Sequence, residues 1–153
     1  MTDTDTERSR RSRRLDDLLA GLKAKGLRMT PQRLAILRAL VMHPGHPTAE
    51  ELHKGLLDRF PTMSLATVYK TITLLKRHGE IMELEFSGRD NRFDAFNARP
   101  HPHLICTQCG RVMDPDMPGL ADMIARLTTN TGYNVTSHRL DFYGTCPDCR
   151  KKA

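Results

Sequence analysis

The stretch SLATVYKTITLLKRHG, residues 64–79, decides the fold. Ser64 is a natural helix cap, Val68, Ile72 and Leu75 recur at helical spacing, and Gly79 supplies a stop. One face of this helix is therefore apolar, while the other offers Thr67, Tyr69, Lys70 and Thr73. A helix with a core-facing stripe and a polar, hydrogen-bonding outer face is suited to lie in a nucleic-acid groove.

Three helices are expected before it. LDDLLAGLKAKG places Leu15, Leu18, Leu19 and Leu22 on one face and ends near Gly26. In RMTPQRLAILRAL, Thr30 caps a helix with Pro31 at its first position and Leu34, Leu37 and Leu40 as its buried stripe, ending before His43-Pro44-Gly45. In HPTAEELHKGLLDRF, Thr48 and Glu51 have capping-box spacing. Two β-like runs follow Gly79, EIMELEF and NRFDAF, joined by Ser87-Gly88-Arg89-Asp90 as a hairpin. Helices followed by a two-stranded hairpin make a winged helix-turn-helix, with the fourth helix as the groove reader.

The 153 residues divide into a flexible basic arm at 1–14, this DNA-binding domain at 15–96, a linker at 97–100 and a C-terminal domain at 101–153. The arm, MTDTDTERSRRSRR, carries five arginines able to touch phosphate. Of the net charge of +6, most lies in the first part: residues 1–99 hold 18 Lys and Arg against 13 Asp and Glu, residues 100–153 only 6 against 5. That balance suits a polyanionic partner. No apolar run spans a membrane and no signal peptide is legible, so a cytoplasmic protein is expected.

The C-terminal domain reads as short strands at 103–106 and 111–113, a helix bearing Leu120, Met123, Ile124 and Leu127, and strand-like alternation through YNVTSHRLDFYG. About fifty residues make a marginal apolar core. Two C-x-x-C pairs, Cys106/Cys109 and Cys146/Cys149, stand 36 residues apart, each after an expected strand. Four thiolates give Zn²⁺ a closed, structural site. Disulfides are disfavoured in a reducing compartment, and a redox pair would need a helix N-terminus, which neither pair opens in the sequence. A zinc-containing thiol redox protein is the rival from another class.

His101 and His103 remain. Two residues apart on a strand, they face one side and can offer two imidazoles to an ion, or they are surface histidines in a proline-rich linker. His46, Asp94 and Asp114 are further candidates, and a set of imidazoles and carboxylates suits Fe²⁺ or Mn²⁺. Spacing alone does not show that the five meet. His43, His53, His78 and His138 read as surface or capping residues.

In order, RMTPQRLAILRAL, HPTAEEL, SLATVYKTITLL, NRFDAF, HPHLICTQCG and YGTCPDC resemble the ferric uptake regulator family of metal-dependent bacterial repressors, from about Leu15 to Cys149. The resemblance implies an α+β chain: a winged-helix domain plus a small α/β dimerisation domain holding one structural zinc on Cys106, Cys109, Cys146 and Cys149. It implies a homodimer on palindromic operator DNA, no membrane, no organic cofactor and no enzymatic turnover. It also implies a regulatory Fe²⁺ or Mn²⁺ site on His46, Asp94, His101, His103 and Asp114. The aspartates at 94 and 114 look most like the peroxide-responsive repressor branch, in which His46 and His101 would be the oxidation-sensitive residues. An iron or manganese uptake regulator is the alternative within the family. For DNA contact the expectation is Thr67, Tyr69 and Lys70 on the fourth helix, with Arg33 and the arm on phosphate.

Overall fold

The computed structural model describes residues 3–86 and 89–152, with side chains from residue 6 onward. It divides into two compact units, Met1–Ala98 and Arg99–Ala153.

In the first unit, α1 (Asp3–Ala24), α2 (Pro31–Met42), α3 (Ala49–Leu56) and α4 (Leu65–Arg77) precede a two-stranded wing, β1 (Met82–Leu84) paired antiparallel with β2 (Arg92–Asp94). The helix starts follow local chemistry. Thr30 and Ser64 accept the amide three residues on, and Thr48 forms both halves of a capping box with Glu51. Such caps each contribute about 1 kcal/mol. Gly79 ends the α4 region at φ 69°, a conformation only glycine adopts freely.

The core joins Leu18 and Leu22 of α1, Ile36, Leu37, Leu40 and Val41 of α2, and Val68, Ile72 and Leu75 of α4. Burying each of these side chains stabilises the unit by roughly 1.5–3 kcal/mol. Leu34 was expected in that stripe but is 40% exposed. At about 100° per residue it lies on the shoulder of the face centred between Ile36 and Val41, while Ile36 and Val41 take the buried positions.

The expected flexible arm is corrected more substantially. Residues 3–14 continue α1, and two of the five arginines turn inward. Arg11 donates to the carbonyls of Val41 and His43 at 2.9 and 2.6 Å and stacks its guanidinium 4.6 Å from the Phe96 ring centroid. Arg14 donates to the carbonyls of Ala95 and Glu80, each at 3.1 Å. Distant backbone oxygens thus hold residues 3–14, the polar part of α1 that has no apolar stripe of its own. Arg8, Arg10 and Arg13 remain exposed. Met1 and Thr2, and the Ser87-Gly88 part of the wing turn, lie outside the described residues.

In the second unit, β3 (Pro102–Cys106) lies between β4 (Val112–Met113), antiparallel, and β5 (Leu140–Gly144), parallel. Helix α5 (Leu120–Thr131) connects β4 to β5, and α6 (Pro147–Arg150) is a single turn after β5. The strand expected through residues 133–144 is shorter than its alternation suggested, because only Leu140–Gly144 finds a partner, along β3. None of the α5 side chains is buried, and Met123 and Leu127 stand about half exposed, at 46% and 50%.

Candidate metal centres and nucleic-acid interface

Cys106 closes β3, and the chain turns at once through Thr107-Gln108-Cys109 to Gly110, whose amide bonds back to the Cys106 carbonyl at 2.9 Å. Gly110 has φ 72°, which lets the knuckle turn so tightly. Cys146 and Cys149 follow β5 in the same sense. The four sulfurs lie within 4.8 Å of one another, with Cys109 Sγ and Cys146 Sγ at 3.8 Å. A tetrahedron of thiolates at about 2.3 Å from zinc has sulfur edges of about 3.8 Å, so the donor set fits that ion.

Backbone N–H groups support the same reading. The amides of Cys109, Cys146 and Gln108 approach the Cys106 sulfur and hold its thiol down at about 6, favouring a thiolate. The Cys149 thiol is pushed up to about 12, chiefly because it shares hydrogen bonds with the sulfurs of Cys146 and Cys109. A cation at the centre would reverse that crowding. One expectation needs correcting: Cys146 does open a helix, as the N-cap residue of α6. That helix is one turn long, and all four sulfurs converge rather than pairing as two dithiols.

In the first unit, β2 runs back beside the segment before α3. Phe93 N donates to Pro47 O at 3.0 Å, Thr48 bridges Arg92, and Arg92 Nη1 reaches the His46 carbonyl at 2.7 Å. This pairing sets His46 Nε2 3.5 Å from Asp94 Oδ2. The other Asp94 oxygen accepts the amides of Phe96 and Asn97 at 2.8 and 3.0 Å, fixing the carboxylate plane.

In the second unit, His101 and His103 have ring centroids 4.4 Å apart, and their Nε2 atoms lie 3.4 and 3.9 Å from Asp114 Oδ1. His101 Nδ1 is 2.7 Å from the Arg99 carbonyl, and His103 Nδ1 is 3.3 Å from Asp141 Oδ1. Both partners of the Nδ1 atoms only accept, so each neutral ring carries its proton there. Two Nε2 lone pairs then face a carboxylate oxygen, an arrangement that a cation stabilises. Asp141 escaped the sequence reading; its only prior signal was a carboxylate within the strand-like stretch YNVTSHRLDFYG.

Among the expected DNA contacts, Arg33, Tyr69 and Lys70 line one concave patch with Thr73, Leu74 and Arg77. Thr67 is tied into the α4 cap, its amide and hydroxyl both at Ser64 Oγ. Tyr69 is 44% exposed and donates its hydroxyl to Glu50 Oε1 at 2.8 Å. That bond and the charge of Glu50 raise the phenol above its ordinary range. Arg33 also donates to the Arg28 carbonyl at 3.0 Å. Of the remaining histidines, His43 and His78 cap α2 and α4, and His53 Nε2 lies 2.7 Å from the Met63 carbonyl.

Comparison with known proteins agrees with these features. The profile of the ferric uptake regulator family matches residues 24–143. The peroxide operon regulator of Bacillus subtilis is 42% identical over 138 residues, covering 90% of this chain and 94% of that protein. The peroxide-responsive repressor PerR of Staphylococcus aureus is 40% identical, covering 90% and 93%. Among solved structures, the Vibrio cholerae ferric uptake regulator gives a TM-score of 0.70 at 32% identity, covering 83% of this chain and 98% of that one. The PerR of Streptococcus pyogenes gives 0.52 at 32% identity, covering 88% and 92%.

Proposed function

The chain belongs to the ferric uptake regulator family, and on that premise we propose that it is a metal-dependent transcriptional repressor that senses peroxide. It binds palindromic operator DNA as a homodimer in the cytoplasm. It is a regulator rather than an enzyme. No helix among the described residues is long and apolar enough to cross a membrane.

The observation that carries the reading is the donor chemistry. His46 with Asp94, and His101 and His103 with Asp114, are nitrogen and oxygen sets without sulfur. Such ligands suit Fe²⁺ or Mn²⁺, whereas the four sulfurs suit one structural zinc per chain. We assign all five residues to one regulatory ion. Ligands drawn from both sides of residues 97–100 make ion binding favour one placement of the DNA-binding units, which is the requirement for a ligand to control operator affinity.

Fe²⁺ held by these five residues would activate peroxide, which would pass one oxygen to an imidazole ring carbon and release the other as water, the ring giving up the two electrons; Mn²⁺ held there would support repression without that chemistry. His46 and His101 are the oxidation targets we assign, by family resemblance. An oxygen added to either ring weakens a nitrogen donor, the set loses its hold, and the DNA-binding units lose their restraint. In the first unit, the exposed face of α4 with Lys70 and Tyr69 enters the groove, and Arg33 meets phosphate. Met113 and Phe142, each paired with Leu104 across the sheet, are exposed, as are Met123 and Leu127 of α5, and exposed apolar side chains of this kind are what a second copy covers.

The test uses DNA selected from a random pool by Mn²⁺-loaded protein. Peroxide is expected to release that DNA from the Fe²⁺ form alone, with an added oxygen on His46 or His101 by mass spectrometry. Equal, peroxide-insensitive binding with both metals would make the protein an iron or manganese uptake regulator instead. Intramolecular disulfides as the sole oxidation product would make it a thiol redox protein.

A further inference from the structure

Strands β3 and β5 run parallel with His103 opposite Asp141, so the two side chains leave the same face of the sheet. The His103 ring is buried and the Asp141 side chain is 9% exposed, with Nδ1 and Oδ1 3.3 Å apart. Arg139 lies two residues earlier on the same chain and places its Nε 2.6 Å from the second Asp141 oxygen. The three groups form a line, guanidinium to carboxylate to imidazole, that ends at His103 Nε2.

We propose that Asp141, held by Arg139, is a positioning residue that fixes the tautomer and ring orientation of His103 for metal binding. This rests on the assignment of His103 as a regulatory ligand. A carboxylate can only accept, so it selects the Nδ1–H form and leaves the Nε2 lone pair directed at Asp114. Its negative charge also strengthens the imidazole as a donor, as outer carboxylates do behind metal-bound histidines. His101 is oriented differently: its Nδ1 meets the neutral carbonyl of Arg99. The two neighbouring imidazoles are therefore unequal donors. His103 is the stronger and more rigid of the pair, because its partner is charged and anchored on a neighbouring strand, while that of His101 is a backbone oxygen two residues away.

Two measurements test this on full-length, zinc-loaded protein. The first is the ¹⁵N spectrum of His103 without regulatory metal. The wild type is expected to show the Nδ1–H tautomer, Asp141→Asn to retain it through the amide oxygen, and Asp141→Ala to shift toward Nε2–H. The second is Mn²⁺ binding followed by electron paramagnetic resonance. Affinity is expected to fall about tenfold or more in Asp141→Ala and less in Asp141→Asn. Unchanged tautomer and affinity in Asp141→Ala overturn the proposal, as does an Nε2–H tautomer in the wild type. Failure of the wild type to bind Mn²⁺ would count against the regulatory site itself, while the tautomer still decides the role of Asp141. If Asp141→Ala loses zinc or helical signal, the wild-type tautomer and Asp141→Asn decide it.

Discussion

Arg92 donates through Nη1 to the backbone carbonyl of His46 at 2.7 Å. Together with the Phe93 to Pro47 bond, it makes the loop before α3 an extension of the wing, so His46 and Asp94 move as one piece. Arg92→Ala should separate them without touching either side chain. The expected result is about a tenfold weaker Mn²⁺ affinity, comparable to losing one charged hydrogen bond, with zinc content unchanged. Calorimetric titration beside elemental analysis reads both; an unaltered Mn²⁺ affinity would show that the wing does not hold the His46 loop.

Cys109→Ser should remove zinc and loosen the second unit selectively. Structural zinc contributes on the order of 10 kcal/mol to small domains, more than three short strands and an exposed helix can replace. Hydrogen exchange should rise across residues 99–152 while the α2 and α4 amides stay protected. Native protection of β3 in a zinc-free variant would contradict this.

The patch around α4 makes separable predictions for charge and for shape. Arg33→Ala should weaken binding to all sequences alike and lower the slope of log affinity against log salt by about one, as expected for one phosphate contact. Tyr69→Phe removes the hydroxyl bonded to Glu50 and no charge, so the salt slope should stay fixed while discrimination among operators falls. Salt titrations on an operator and a scrambled duplex distinguish the two variants.

The arginines of α1 should fall into two classes. Arg11, which holds Val41, His43 and Phe96, is expected to cost about 1.5–3 kcal/mol of stability when changed to Ala. Arg13, exposed on the other side, should change stability by less than about 0.5 kcal/mol. Urea denaturation of the two variants makes the comparison, and equal effects would argue against an inward role for Arg11.

The helix starts, the two C-x-x-C pairs and the His101/His103 pair were legible because each depends on local spacing, whereas His46, Asp94 and Asp114 were tied to that pair by family resemblance alone. A cap reaches three residues, a C-x-x-C knuckle four, and an H-x-H pair one strand face. The features that escaped depend on distant partners. Residues 3–14 lack an apolar stripe, so nothing local marks them as helix; their anchors lie 30 and 81 residues away. Asp141 acquires meaning only from the β3–β5 register, across 38 residues. Leu34 failed for a related reason, since a stripe of leucines does not reveal which side of it faces a neighbour.

Strand β3 is fastened to β5 twice: near its start through His103 and Asp141, and at its end through the cysteines that continue both strands. A parallel pair this short has little stability of its own. Under the ligand assignment proposed above, the two metals are expected to load in order, zinc first, because the strand that presents His103 is set only once its far end is secured. The regulatory ion can then come and go many times within a scaffold that is assembled once, and a cell short of zinc would forfeit iron-dependent repression before its iron ran low.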